Sequence, residues 1–213
     1  MMKKTEAIAL VAVGTVALIV SGINPYDRLT WFLEVFPILI GVPVVIVVYP
    51  RFQFTPLAYW LIFIHCLILM LGGHYTYARV PLGFWVQNLL DLGRNHYDRL
   101  GHFAQGFIPA ILTREILLRL SPLKPGKWLF FLVTSVCLAI SAFYEFIEWW
   151  AAILGGESAE SFLGTQGDVW DTQWDMFLAF IGALTAQLLL SHLHNGQLER
   201  VVVTTMTTTE RDS

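Results

Sequence analysis

The chain has 213 residues, of which 56% are hydrophobic and only 14% charged, with a mean hydropathy of +0.61. Soluble domains carry about 25% charged residues, and a chain this apolar, with 15 Phe and 8 Trp, has too little polar surface to cover itself in water. A net charge of −3 with no basic run gives no reason to expect nucleic acid, and the loops are too short for a second, water-soluble domain.

The gaps between charges define the class. No Asp, Glu, Lys or Arg occurs in 7–26, 35–50, 52–78, 128–144 or 176–198, and several of these stretches reach the ~20 apolar residues that span a bilayer. The expected fold is all-α, a polytopic membrane bundle in direct contact with lipid.

The first segment, 5–23, follows Lys3 and Lys4 and resembles a signal peptide. No small-x-small cleavage site follows it; Asn24-Pro25 and Asp27-Arg28 turn the chain directly into the next apolar run, so it reads as a retained helix. The second helix is expected over 30–49, bounded by Pro50-Arg51, and the third over 56–72, stopping at Gly72-Gly73. Residues 80–95 are too short and too polar to span, and with Trp85 they fit a helix lying at the interface. The fourth helix, 98–119, opens on Asp98 as an N-cap and ends before Pro122 and Pro125. The fifth covers 128–153 and the sixth 171–193, separated by an acidic, Gly-rich loop over 155–170. Residues 1–195 thus form one transmembrane domain of six helices, and the low-complexity residues 196–213 read as a disordered cytoplasmic tail. Cys66 and Cys137 fall midway along apolar segments, as buried free thiols; no Cys-x-x-Cys exists for redox or zinc work.

Lys and Arg favour cytoplasmic ends. With the N-terminus inside, Lys3, Lys4, Arg51, Arg114, Arg119, Lys124, Lys127, Arg200 and Arg211 fall at inner ends, and Arg28, Arg79, Arg94 and Arg99 at outer ends. That bias places both termini in the cytoplasm and the 155–170 loop outside.

Ionisable groups inside spanning helices are costly, so each marks a functional hypothesis. Asp98 and His102 are four apart on helix four, Glu145 and Glu148 three apart on helix five, and Asp171 and Asp175 four apart on helix six. Each pair shares one face, and under this topology all lie at the outer end. His74, His96 and Asp168 flank them, and Arg99 neutralises a neighbour. Carboxylates and imidazoles at these spacings are how helix bundles build metal or acid/base sites, and this donor set suits a divalent ion. Blander readings compete. Asp98 and Asp171 serve as N-caps worth about 1 kcal/mol each, and acids complement a helix N-terminus. Glu145 and Glu148 sit near a helix C-terminus, where negative charge is unfavourable, so something must hold them there. Glu34 on helix two either joins the cluster or reaches the interface. Arg114 and Glu115 read as part of the inner-end charge pattern, His65 as a core histidine, and His192 and His194 as complements to a helix dipole. Trp149, Trp150, Trp170 and Trp174 fit an aromatic belt.

These motifs carry a resemblance. Asp98-Arg-Leu-Gly-His102-Phe103, Glu145-Phe-Ile-Glu148 and Asp171-Thr-Gln-Trp-Asp175, followed by Gly182, resemble the VanZ-like pattern of small bacterial membrane proteins, a group associated with glycopeptide resistance. Gly73-His74-Tyr75-Thr76-Tyr77, Arg94-Asn95-His96-Tyr97-Asp98-Arg99 and Gly164-Thr-Gln-Gly-Asp168-Val-Trp-Asp171 resemble the YjdF family of bacterial inner-membrane proteins, over about 60–195. The resemblance implies an inner-membrane location and supports the bundle and the site. Two positions depart from the VanZ-like pattern: Glu148 stands where Gln is frequent, and Ala179 where Asn is.

The expected protein therefore has an outward-opening pocket that binds or acts on an envelope lipid or lipid-linked headgroup, assisted by a divalent metal. His102, Glu145 and Asp175 are the candidate catalytic residues and, with Asp171, the candidate metal ligands. Asp98, Glu148, Asp171, His74, His96 and Arg99 are candidates for contacting substrate or orienting those ligands. No Ser or Cys is paired with a base, which argues against covalent acyl chemistry. A proton-coupled carrier and a non-catalytic scaffold are the alternatives.

Overall fold

The computed structural model describes residues 2–155, 160–163 and 165–209, and the side chains of all of these except residues 155, 160, 161 and 202–209. The helices are α1 (Lys4–Ser21), α2 (Arg28–Val48), α3 (Pro56–Tyr75), α4 (Pro81–Leu90), α5 (Tyr97–Leu120), α6 (Lys127–Gly155), the single turn α7 (Glu160–Leu163) and α8 (Asp171–Thr209), with a 3₁₀ turn at Tyr77–Arg79. Among the described residues the fold is all-α.

Five helices, α1, α2, α3, α6 and α8, are long and apolar enough to cross a membrane. The expected fourth span, α5, lacks that composition because Asp98, Arg99, Arg114, Glu115 and Arg119 all lie on it. It is nevertheless the centre of the bundle, packed against α8, α6 and α3. Its buried apolar residues, including Ile108, Ala110 and Ile111, join Val133 and Cys137 of α6 and Ala183 and Ala186 of α8 in the main core. Both cysteines are free and buried.

Small residues bring α5 and α8 together. A Cβ at Gly106 would run into the Ala179 carbonyl, and one at Gly182 into the Phe103 carbonyl. Close backbone approach through small residues is how helices associate where lipid removes the hydrophobic drive. Ala179 is fully buried at this contact, which accounts for a small side chain there in place of an amide.

Local chemistry sets several boundaries. Asp27 caps α2, its Oδ1 accepting the Thr30 N–H at 2.7 Å, and Thr55 does the same for α3 through the Ala58 N–H at 3.4 Å, with Pro56 following at the first helical position. Three boundaries differ from those expected. Gly72 and Gly73 do not stop α3, which continues to Tyr75; a Cβ at Gly73 would lie 3.1 Å from Glu34 Cβ, so this glycine serves the α2–α3 contact. Asp98 is not an N-cap, because α5 begins at Tyr97 with His96 at the cap position and no side-chain cap bond. The helix α8 runs past 195, and Leu198 and Val201 are buried where an unstructured tail was expected. Residues 210–213 of that tail, and 156–159 and 164 of the 155–170 loop, lie outside the described residues.

Candidate functional site: a buried imidazole–carboxylate cluster

The first turns of α5 and α8 and the last turns of α6 meet at one end of the bundle. His102, 6% exposed, is at the centre. Its Nε2 lies 3.5 Å from Asp98 Oδ1, one helical turn before it, and 3.9 Å from Asp175 Oδ2 of α8. Its Nδ1 lies 3.9 Å from Glu145 Oε1 of α6 and 3.2 Å from Gln105 Oε1. Asp98, Glu145 and Asp175 are all buried.

The pairs at three- and four-residue spacing do converge. One ligand atom each from Asp98, His102 and Asp175 fall within 4.8 Å of one another, as do those from His102, Glu145 and Glu148. Glu148 is only half-buried. Three carboxylate oxygens, Asp98 Oδ2, Glu145 Oε1 and Asp175 Oδ1, are buried with no hydrogen-bond partner. Buried polar atoms are almost always satisfied, so three orphans around one imidazole mark a place that a proton or a cation must complete. The oxygen-rich donor set with a single imidazole matches a hard or borderline divalent cation.

Glu34 extends the cluster from α2. It is 5% exposed and accepts from Tyr144 Oη at 3.4 Å. Of the two roles the sequence left open, it takes the interior one.

An electrostatic clamp covers the cluster. Arg94, just before α5, donates from Nη2 to Asp171 Oδ1 at 2.8 Å and from Nη1 to the Thr165 carbonyl at 2.5 Å, with Asp168 Oδ2 at 3.7 Å. Arg99 donates to the same Asp168 oxygen at 3.0 Å and its guanidinium lies 5.1 Å from the Trp174 ring centroid. Asp171 is thus held by Arg94, and it stands outside both groups of ligand atoms around His102. A cavity of about 390 Å³ opens beside the clamp, lined in part by Arg94, His96, Arg99 and Asp168. Partial burial and the two neighbouring arginines push the His96 imidazole below its ordinary range. His74 is not brought in: its Nδ1 lies 2.9 Å from the Ser21 carbonyl, tying α3 to the end of α1. Trp149, Trp150, Trp170 and Trp174 are exposed, as belt residues are.

A second polar cluster lies at the opposite end of α5, and sequence reasoning read its members singly. Glu115 is fully buried. It accepts from Thr55 N at 2.9 Å, Thr55 Oγ1 at 2.8 Å and Arg119 Nη1 at 2.8 Å, and Oε2 lies 3.1 Å from His194 Nε2. His194 Nδ1 lies 2.9 Å from Arg114 Nη1. Neither Arg114 nor Glu115 is part of a solvated charge pattern, and His194 does more than complement a dipole. Their signal was available in the sequence: three ionisable residues on α5 far from its first turn, at the depth where α8 carries His194.

These features define a class: a multi-helix membrane protein with a buried imidazole–carboxylate cluster at one end. Residues 7–196 match the family described as "Predicted membrane protein (DUF2238)", and the chain belongs to that family. It is 54% identical over 186 residues to "Inner membrane protein YjdF" of Escherichia coli (strain K12), covering 87% of this chain and 89% of that protein. No solved structure matches.

Proposed function

We propose that the chain is a six-span inner-membrane protein with both termini in the cytoplasm, whose outward-opening pocket holds a divalent cation and binds or acts on an envelope lipid or lipid-linked headgroup. The observation that carries this reading is the set of orphaned oxygens on Asp98, Glu145 and Asp175 around His102. The ligand atoms form two groups on either side of the imidazole, Asp98 and Asp175 toward Nε2 and Glu145 with Glu148 toward Nδ1, and His102 with one of these pairs would hold the ion. Asp171 acts by orienting Arg94 instead of ligating. A bound divalent ion supplies Lewis acidity toward a phosphoryl or carbonyl oxygen and toward water.

The chain's own groups supply the rest. Gln105 on one side and Asp98 on the other fix the His102 ring, and such partners are what orient a ligating imidazole. Arg94 and Arg99 face the adjacent cavity, where an anionic headgroup would meet them. Between the two polar clusters lies the apolar core of Ile108, Ile111, Val133, Ala183 and Ala186, which supports a one-ended site over a proton path through the bilayer.

The test is the metal content of the purified, detergent-solubilised protein and of His102→Ala. A stoichiometric divalent ion that is lost in the variant is the expected result. A folded wild-type protein that takes up no ion when dialysed against divalent metals overturns the reading.

A further inference from the structure

The opposite end of the bundle holds a charge imbalance that the outer site does not explain. Arg114 is only 4% exposed. Its Nη2 donates to Asn195 Oδ1 at 2.6 Å and its Nη1 faces His194 Nδ1 at 2.9 Å. A guanidinium can only donate, so His194 Nδ1 accepts and the imidazole proton sits on Nε2, which donates to Glu115. His194 is therefore a neutral link, and the charge of Glu115 is matched by its own partner Arg119 at 2.8 Å. Among the described residues, no carboxylate lies within ion-pair distance of Arg114 or Lys127.

Those two cations share a cavity of about 430 Å³ between α5, α6 and α8, lined also by Gly126, Gln187, Ser191 and Asn195. Among the described residues that line it there is no acid. A buried charge without a counter-charge is costly, and in a membrane it is retained where it meets a ligand. Arg114 is also fixed in place, because the chain from Thr55 through Glu115 and His194 to Arg114 is hydrogen-bonded at each step. A pre-oriented guanidinium beside a flexible ammonium, with hydroxyl and amide groups around them, is chemistry suited to a phosphate. Basic pockets between spanning helices are where anionic headgroups dock.

We infer that the Arg114–Lys127 cavity is a second ligand site, separate from the imidazole–carboxylate cluster, that binds a phosphate group. The phosphate can arrive on a lipid headgroup from the adjoining leaflet or free from the aqueous phase. Both use the same two cations.

The experiment measures binding to the full chain purified in a neutral detergent, with short-chain phosphatidylglycerol and inorganic phosphate as separate probes. Saturable binding of one phosphatidylglycerol per chain, without phosphate competition, assigns the lipid source; saturable phosphate binding assigns the aqueous one. In either case Lys127→Glu, at an exposed position outside the hydrogen-bonded chain, should weaken binding about tenfold or more. Arg114→Gln should do at least as much, provided its thermal transition shows it folded; Lys127→Glu decides the matter if it does not. Binding of neither probe, or binding that Lys127→Glu leaves unchanged, overturns the inference. The outer cluster's metal content is a separate readout, and Lys127→Glu should leave it intact.

Discussion

Glu115 offers the sharpest test of what holds the bundle together. Its carboxylate is fully buried and is met by the Thr55 N–H and hydroxyl, the Arg119 guanidinium and the His194 imidazole. Replacing it by Ala leaves two buried donors on Thr55 and one on His194 without an acceptor, and leaves Arg119 to its contact with the Gln53 carbonyl and its stacking on Phe52. Breaking a buried pair by removing one partner costs about 3–5 kcal/mol, and each stranded donor costs about 1–3 kcal/mol before relaxation. Water reaching this end of the bundle recovers part of that, so Glu115→Ala should lose about 4 kcal/mol. Glu115→Gln keeps the shape and one acceptor oxygen but turns an N–H₂ toward groups that themselves donate, and should lose about half as much. Reversible unfolding in mixed micelles, followed by circular dichroism, measures both. The double variant with His194→Ala should lose less than the sum of the two single changes, because they share one contact. A Glu115→Ala protein within about 0.5 kcal/mol of the parent would show that the network adds nothing beyond what a surface substitution does, and the reasoning would fail.

The sequence made the bundle and the imidazole–carboxylate cluster legible and hid the Glu115 network, for a physical reason. Spanning helices announce themselves by charge-free length, as α1, α2, α3, α6 and α8 do. The helix α5 was found in spite of its charges, because those charges fall toward its two ends. That cluster was legible because Asp98–His102, Glu145–Glu148 and Asp171–Asp175 each repeat at helical spacing, so one face suffices to see them. Which carboxylate faces His102 and which faces an arginine was beyond spacing alone: Asp171 faces Arg94, and that contact joins residues 77 positions apart. His74 shares a sequence neighbourhood with the cluster, yet its partner is a carbonyl of α1. Glu115 went unrecognised because its partners Thr55 and His194 are 60 and 79 residues away, and without them it read as part of the inner-end charge pattern.

The remaining predictions concern the clamp, the helix contact, the topology and the two glutamates. Arg94→Ala leaves the Asp171 carboxylate, whose side chain is 6% exposed, without its guanidinium and should cost about 3 kcal/mol in the same unfolding assay; no loss would show the clamp to be ornamental. Gly106→Val must push the Ala179 backbone aside, so it should cost more than the about 1–3 kcal/mol of ordinary overpacking, and a wild-type Tm would refute the α5–α8 contact. Cysteines placed at Asn88 and at Lys124 should be labelled from opposite sides of the membrane, the second from the cytoplasm; labelling of both from one side would overturn the six-span topology and the outward pocket together. Glu145 and Glu148 are the closest comparison the site offers, since both lie on α6 and both can reach His102. Glu145 is 7% exposed with Oε1 unpartnered, whereas Glu148 is half-buried, and a lost contact is more easily replaced at the less buried position. Glu145→Gln should therefore lower the affinity for a divalent ion by about tenfold or more, and Glu148→Gln by clearly less, as judged by titration of the metal-stripped protein. Equal losses in two normally inserted variants would mean that the ion, if held there, is held by the wetter carboxylate as firmly as by the buried one, and that burial does not rank these residues.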